Sequence, residues 1–235
     1  MVELAGRPLL HRQLATLRGA GVENILLVGG YRADKLESDG FRIALNPRHA
    51  ETNMVSTLFC AEDWMRPGED LLIAYGDIVY EHRVLRSLLD TDAPVAICID
   101  REWRRFWAAR MDDPLADAET LKLADGDRVI ELGKKPKGYD EIQGQYMGLI
   151  KVRGDNVETF RNAWHALDRR AMYDGKDFDN MYMTSFLQHL IESGVEVRAA
   201  FTDNGWLEVD TVEDLERYDR MQREGTLATF IRLDD

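Results

Sequence analysis

LLHRQLATLRGAGVENILLVGG, Leu9 to Gly30, holds a helix, its stop and a buried strand in immediate succession. Leu10, Leu14 and Leu17 recur at helical spacing, and Gly19-Ala-Gly21 ends the helix because glycine takes the left-handed conformation without steric cost. Asn24 to Val28 is an apolar run of strand length closed by Gly29-Gly30. Working outward, the pattern repeats: a short helix over Arg32 to Glu37, a strand around Phe41 to Leu45, a helix from Asn53 to Trp64, and a strand from Asp70 to Tyr75. A helix from His82 to Leu89 and a strand from Ala93 to Ile99 follow. Strands alternating with helices predict a mostly parallel sheet covered on both faces.

The second half is less regular. Thr120 to Ala124 and Arg128 to Leu132 flank Asp125-Gly126, a turn pair that predicts a hairpin. Gly144 to Val152 and Glu196 to Phe201 read as strands, and Asn156 to Arg170 and Tyr182 to Glu192 as helices. The expected fold is α/β, a mixed, mostly parallel sheet flanked by helices. No repeat, low-complexity tract or linker divides residues 1–235, so a single domain is expected. Such domains usually open with a strand, yet only Val2-Glu-Leu4 precedes the turn Ala5-Gly6-Arg7-Pro8. The usual first strand is therefore expected to be lacking.

A formal net charge of -13 argues against a nucleic-acid backbone as partner, since that affinity comes from clustered Lys and Arg. The longest apolar runs are strand-sized, and the N-terminus lacks the basic-then-apolar layout of a signal peptide, so no membrane partner and a cytoplasmic location are expected. Cys60 and Cys98, inside apolar segments without partners at metal spacing, read as two buried thiols.

Chemistry concentrates in NGWLEVDTVEDLERY, Asn204 to Tyr218. Residues two apart in a strand share a face, so Glu208 and Asp210 point at one spot while Leu207 and Val209 face the core. Thr211-Val-Glu-Asp214 fits a capping box that starts a helix directly afterwards. The pair reads either as half a divalent-metal site or as solvated charge at a strand end. Asp77, after Leu71 to Tyr75 and Gly76, lies at another strand end, where a ligand crevice opens in α/β sheets. Together, Asp77, Glu208 and Asp210 make a hard oxygen set suited to Mg²⁺ gripping phosphate oxygens. Gly76 would let backbone approach a ligand. Asn53 reads as a helix N-cap that can also face an anion or base edge. Lys134 and Lys135 follow a strand as phosphate contacts or merely solvated charges, and Gly144, Tyr146 and Gly148 alternate along one strand face against which a ligand could lie. Trp103, Trp107 and Trp206, with Tyr173 and Tyr182, read as core or as a cage for a quaternary ammonium.

These residues resemble the nucleotidyltransferases of the glycosyltransferase-A-type, Rossmann-like fold, particularly the small cytidylyltransferases acting on phosphocholine or 2-aminoethylphosphonate and the sugar-1-phosphate enzymes. The resemblance rests on Val2 to Leu10, Asn53 to Leu58, Gly76-Asp77, Gly144 to Gly148, and Trp206 to Thr211 with Glu213 to Leu215. It implies that Asp77, Glu208 and Asp210 hold Mg²⁺, Asp77 and Asp210 being catalytic, and that Asn53 to Ser56 lie near the nucleotide. It also implies that Lys135 contacts an acceptor phosphate. The partners would be a nucleoside triphosphate, CTP favoured, and a small phosphorylated or phosphonate acceptor, with pyrophosphate released. Family members begin with a strand and a glycine-rich, basic loop that would precede Met1; on this reading the chain is N-terminally truncated and its catalysis impaired. Two rivals stand beside this reading: a nucleotide-sugar-dependent glycosyltransferase of the same fold, and a non-catalytic nucleotide-binding remnant.

Overall fold

The computed structural model describes residues 1–36 and 40–233. The chain opens with a small hairpin, β1 (Glu3–Leu4) and β2 (Arg7–Pro8), and enters α1 (Leu9–Gly19), which stops before Gly21 at φ 82°. There follow β3 (Leu26–Gly29), β4 (Arg42–Leu45), α2 (Met54–Phe59), β5 (Leu71–Ala74), β6 (Ile78–Tyr80), α3 (His82–Asp90), β7 (Val95–Asp100) and α4 (Trp103–Arg110). The second half contains β8 (Leu121–Ala124), β9 (Arg128–Leu132), β10 (Gln145–Val152), α5 (Val157–Ala166), α6 (Met183–Glu192), β11 (Val197–Thr202), β12 (Trp206–Glu208) and α7 (Val212–Arg223).

The α/β class and the flanking helices stand, but the sheet is mixed with few parallel pairs. The main sheet runs β5-β10-β7-β11-β9-β8, beside the two-stranded pairs β3-β4, β6-β12 and β1-β2. Among these pairings only β3 with β4 and β7 with β11 are parallel. The cause is β10, which lies antiparallel between β5 and β7 and so converts what would be a parallel neighbourhood into two antiparallel pairs. The β8-β9 hairpin adds another, turning at Asp125-Gly126 with both residues at positive φ.

Helix ends also shift. In place of a helix over Arg32 to Glu37 there is a single 3-10 turn at Ala33–Lys35, because Arg32 sits in the left-handed region at φ 52°; Glu37 lies outside the described residues. Helix α2 ends at Phe59, with a separate 3-10 turn at Glu62–Trp64. Helix α5 ends at Ala166, where Leu167 turns extended.

Side chains on the two faces of the sheet build two cores. Leu14 and Leu17 of α1 and Leu85 and Leu88 of α3 meet Ala96 and Cys98 of β7 on one face. Phe160 of α5 and Phe186 and Leu190 of α6 meet Ile97 and Ile99 on the other. All six residues of β7 are buried, and each large aliphatic side chain there contributes about 1.5–3 kcal/mol. Buried Asp100, at the end of β7, accepts from the backbone of Glu102 and Asn204 and from Trp206 Nε1 at 2.9 Å each, which fixes where β12 begins. Cys98 is buried as expected; Cys60 is exposed, because the helix carrying it ends one residue earlier.

Candidate active site

The β6-β12 ladder carries the acidic residues. Its register sets Ile78 opposite Glu208 and Tyr80 opposite Trp206, and Val209 N donates to Asp77 O at 2.9 Å, so Asp77 lies beside Glu208 and Asp210. Gln13, buried on α1, donates through Nε2 to Tyr75 O at 2.8 Å and Ile78 O at 2.6 Å. That clamp holds the turn from which Asp77 projects. Thr211 and Asp214 form the expected capping box, and Tyr218 of α7 donates to Glu208 O at 2.9 Å.

Sequence reasoning missed Arg110. Its guanidinium, 4% exposed, donates to Glu208 at 2.7 Å, Asp210 at 2.7 Å and Asp214 at 3.1 Å. Trp103, Phe106, Trp107 and Arg110 share the i, i+3, i+4, i+7 face of α4, and an arginine on an otherwise apolar face was the available signal that buried carboxylates awaited it. Burial disfavours the charged guanidinium, but the bonds to Asp214 and Glu208 outweigh it and raise its pKa. Burial and the neighbouring Asp210 charge push Glu208 up to about 7, with Arg110 opposing. Asp77 also shifts upward, from burial first and Asp210 second, and its Oδ1 is buried with no hydrogen-bond partner among the described residues.

Three carboxylates, Glu208, Asp210 and Asp214, thus bond the Arg110 guanidinium, with Asp77 close by and Arg217 3.6 Å from Asp214, so negative charge exceeds positive there. Among the described residues no group of three acidic, His or Cys side chains is set to hold a metal ion, so the expected three-carboxylate set is not assembled: Glu208 and Asp210 both accept from Arg110 at 2.7 Å, and of the two Glu208 is the more buried. Asp77, with its free oxygen, and Asp210, 47% exposed, still fit Mg²⁺, which binds through one or two carboxylates and completes its shell with water and substrate phosphates.

Asn53, Gly76 and Asp77 line one cavity of about 550 Å³. Asn53 caps α2 through Met54 N at 2.8 Å and reaches Asn180 O at 3.4 Å, while the Ser56 hydroxyl is spent on Asp179 O at 3.0 Å. A Cβ on Gly76 would meet open space, consistent with a turn facing the cavity.

The other expected contacts are placed elsewhere. Lys135 Nζ donates to Leu115 O at 2.8 Å and Ala116 O at 2.5 Å, and Lys134 pairs with Asp174. Gly144 is needed for packing rather than for a ligand, since a Cβ there would sit 2.3 Å from Ile99. Gly148, at φ 78°, leaves room for the Tyr75 ring. Tyr146 stands edge-on to Tyr75 at 5.9 Å, its hydroxyl buried without a partner among the described residues. Trp206 is corrected from substrate contact to core: it is 1% exposed and packs against Phe106 and Trp107. Trp103 and Trp107 are buried in the same aromatic cluster, while Tyr182 packs against Lys176, so no ammonium cage forms from these residues. A second unexpected acid, Glu119, is pushed up to about 7 by burial, with Asp117 and Asp174 adding like charge. Asp117 is two residues away in the chain, but the burial and the Asp174 charge come only from the fold.

Residues 1–139 match the MobA-like NTP transferase domain. A CTP:phosphoglutamine cytidylyltransferase from Campylobacter jejuni is 40% identical, the match covering 92% of this chain and 88% of that protein. A CMP-5'-(3-aminopropyl)phosphonate synthase from Streptomyces rubellomurinus is 26% identical over 93% of this chain and 34% of its own length. The structure of the inositol-1-phosphate CTP transferase from T. maritima superposes with a TM-score of 0.71 at 16% identity, over 98% of this chain and 87% of that one, a likeness of fold.

Proposed function

Since this chain belongs to the MobA-like NTP transferase family and is a nucleotidyltransferase, we propose that it transfers CMP from CTP to a small phosphorylated or phosphonate acceptor. The observation that carries the reading is the carboxylate group at the end of β12 and the β5-β6 turn, in a chain 40% identical to a cytidylyltransferase. An acceptor oxygen attacks the α-phosphorus of CTP; the new O–P bond forms as the bond to the α,β-bridging oxygen breaks, and pyrophosphate carries away the electron pair. Mg²⁺, when bound, neutralises phosphate charge in such a displacement.

The protein's part is positioning. Asp77 and Asp210 would hold the cation, Gln13 fixes the turn that aims Asp77, and Arg110 fixes Glu208 and Asp210 from behind. Asn53 and the Gly76 backbone, at the Asp77 end of the cavity, stand where the nucleotide approaches. No side-chain nucleophile is required. The test is pyrophosphate release from CTP with phosphoglutamine or a phosphonate as acceptor. It is run on the 235-residue chain. CMP-acceptor product that disappears in Asp210→Ala supports the reading. Activity unchanged in that variant removes the carboxylate assignment, and a nucleoside phosphate released without pyrophosphate replaces the reaction with glycosyl transfer.

A further inference from the structure

A second cavity, of about 280 Å³, lies at the end of the β6-β12 ladder opposite to the carboxylates. The ladder sets Ile78 against Glu208 at the carboxylate end and Tyr80 against Trp206 at the other. Glu81, which follows β6, and Asn204, which precedes β12, both line the second cavity. Among the described residues it shares no wall residue with the cavity beside Asp77. Helix α4 spans the same interval, with Arg105 at this cavity and Arg110 at the carboxylates.

Its charges do not cancel. Arg83, Arg105 and Arg232 line it together with Glu81 and Asp203. Both acids are neutralised in place: buried Glu81 accepts from Arg83 Nε at 2.6 Å and from Arg232 N at 2.8 Å, and Asp203 takes two bonds from Arg101 at 2.9 Å each. Arg105 and Arg232 have no such partner. Among the described residues neither forms an ion pair, in a chain whose acids outnumber Lys and Arg 43 to 30. Two uncompensated positive charges therefore meet at one concave site, where low-dielectric walls strengthen their field.

The backbone is shaped to hold these arginines. Asn204 and Gly205 both take positive φ, 54° and 88°, and a Cβ on Gly205 would sit 2.3 Å from Arg83 Nη2, so glycine is what lets that guanidinium lie against the turn. Arg83 also donates to Thr202 Oγ1 and Asp203 O at 3.2 Å each. Arg105 commits Nη2 to Asn204 Oδ1 at 2.5 Å and Thr229 O at 2.6 Å, and its guanidinium stands 5.0 Å from the Phe230 ring. Its Nε and Nη1 keep no acceptor among the described residues, and Arg232 makes no side-chain bond there at all. A guanidinium already held in place loses little freedom when a ligand arrives, and its donors match the oxygens of phosphate. The volume falls just below the roughly 300–1,000 Å³ of drug-sized ligand sites, which suits a compact group. We propose that this cavity is an anion-binding site for a phosphate-type dianion, either orthophosphate or the phosphoryl end of a small monoester, held by Arg105 and Arg232 with Arg83 beside them. Two charges select a dianion over a carboxylate, and a phosphoryl group carries nearly two above its second pKa of about 6.

The test is calorimetric titration of inorganic phosphate, and separately of glycerol 3-phosphate, into the 235-residue protein at about pH 8 and fixed ionic strength. Nucleotide and Mg²⁺ are left out, so the result stands apart from the proposed reaction. One saturable site per chain is expected, with acetate at least about tenfold weaker. Arg232→Gln, which removes no bond among the described residues, and Arg105→Gln should each weaken phosphate binding at least about tenfold while circular dichroism shows the fold retained. Asp77→Asn and Asp210→Asn should bind phosphate as wild type does. Tighter binding of glycerol 3-phosphate would support the proposal with a monoester as occupant, and equal binding of both probes would support it with the free anion. The proposal is overturned if wild type shows no saturable binding, if acetate binds equally well, or if folded Arg232→Gln and Arg105→Gln keep wild-type affinity. Binding abolished by Asp77→Asn and kept by both arginine variants would also overturn it, placing the anion in the cavity beside Asp77.

Discussion

The two ends of the Asp77 turn differ in how completely they are satisfied. On the β12-α7 side every buried charged group is tied: Arg110 spans three carboxylates, Asp214 caps α7, and Asp100 pins the start of β12. On the β3-β5 side, aliphatic side chains are half-exposed and two strand edges face a gap. The difference teaches that the acidic half of the site is held by charge pairs and hydrogen bonds, whereas the other half rests on apolar contacts that leave part of its aliphatic surface exposed. Stability and function should respond to substitution accordingly.

The largest expected effect is in the tied half. Arg110→Met leaves Glu208 without its cation and Asp214 with only Arg217, 3.6 Å away, and a loss of about 3–5 kcal/mol is expected by urea unfolding. A loss under 1 kcal/mol would mean that the acidic half does not depend on this network.

Next comes pH. Glu119 has its folded pKa raised to about 7, so the folded state binds a proton more tightly than the unfolded chain does. Its effect on stability is therefore nil at low pH and becomes a penalty as pH rises from the ordinary carboxylate range through 7, up to about 3 kcal/mol. Melting of wild type and Glu119→Gln between pH 4.5 and 7.5 should show the variant gaining on wild type as pH rises; parallel profiles would remove Glu119 as the source.

Gln13→Leu, which strands two carbonyls of the Asp77 turn, should cost about 1–3 kcal/mol. It should also weaken cation affinity at Asp77, because the turn loses its clamp. Unaltered affinity would show that β12 alone aims that carboxylate. Smallest is Lys135→Ala, whose side chain touches only two carbonyls at the surface: stability within about 0.5 kcal/mol of wild type is expected. A large rise in acceptor KM would return Lys135 to the acceptor site.

Much of this was legible in the chain. The alternation from Leu9 to Ile99 gave the layers, and the spacing of Glu208, Asp210 and Thr211 to Asp214 gave a strand end followed by a capped helix, because period and capping are local properties. The antiparallel insertion of β10 was not legible, since strand order depends on which distant edges meet. Nor was the short β6, whose three residues make a run too brief for periodicity to declare. Arg110 was within reach of a helical-face reading of α4, whereas Glu119 acquires its environment only from Asp117, Asp174 and Thr184 brought together in space. Trp206 misled because an aromatic residue beside catalytic-type carboxylates suits a pocket and a core equally, and only burial decides between them.

The most direct test of the central claim is a calorimetric titration of Mg²⁺ into the protein with CTP present, comparing wild type with Asp77→Asn and Asp210→Asn. Saturable binding in wild type that is lost in both variants is the expected result. Equal binding in all three, with each variant shown to be folded, would contradict the assignment of this turn as the cation-holding half of a nucleotidyltransferase site.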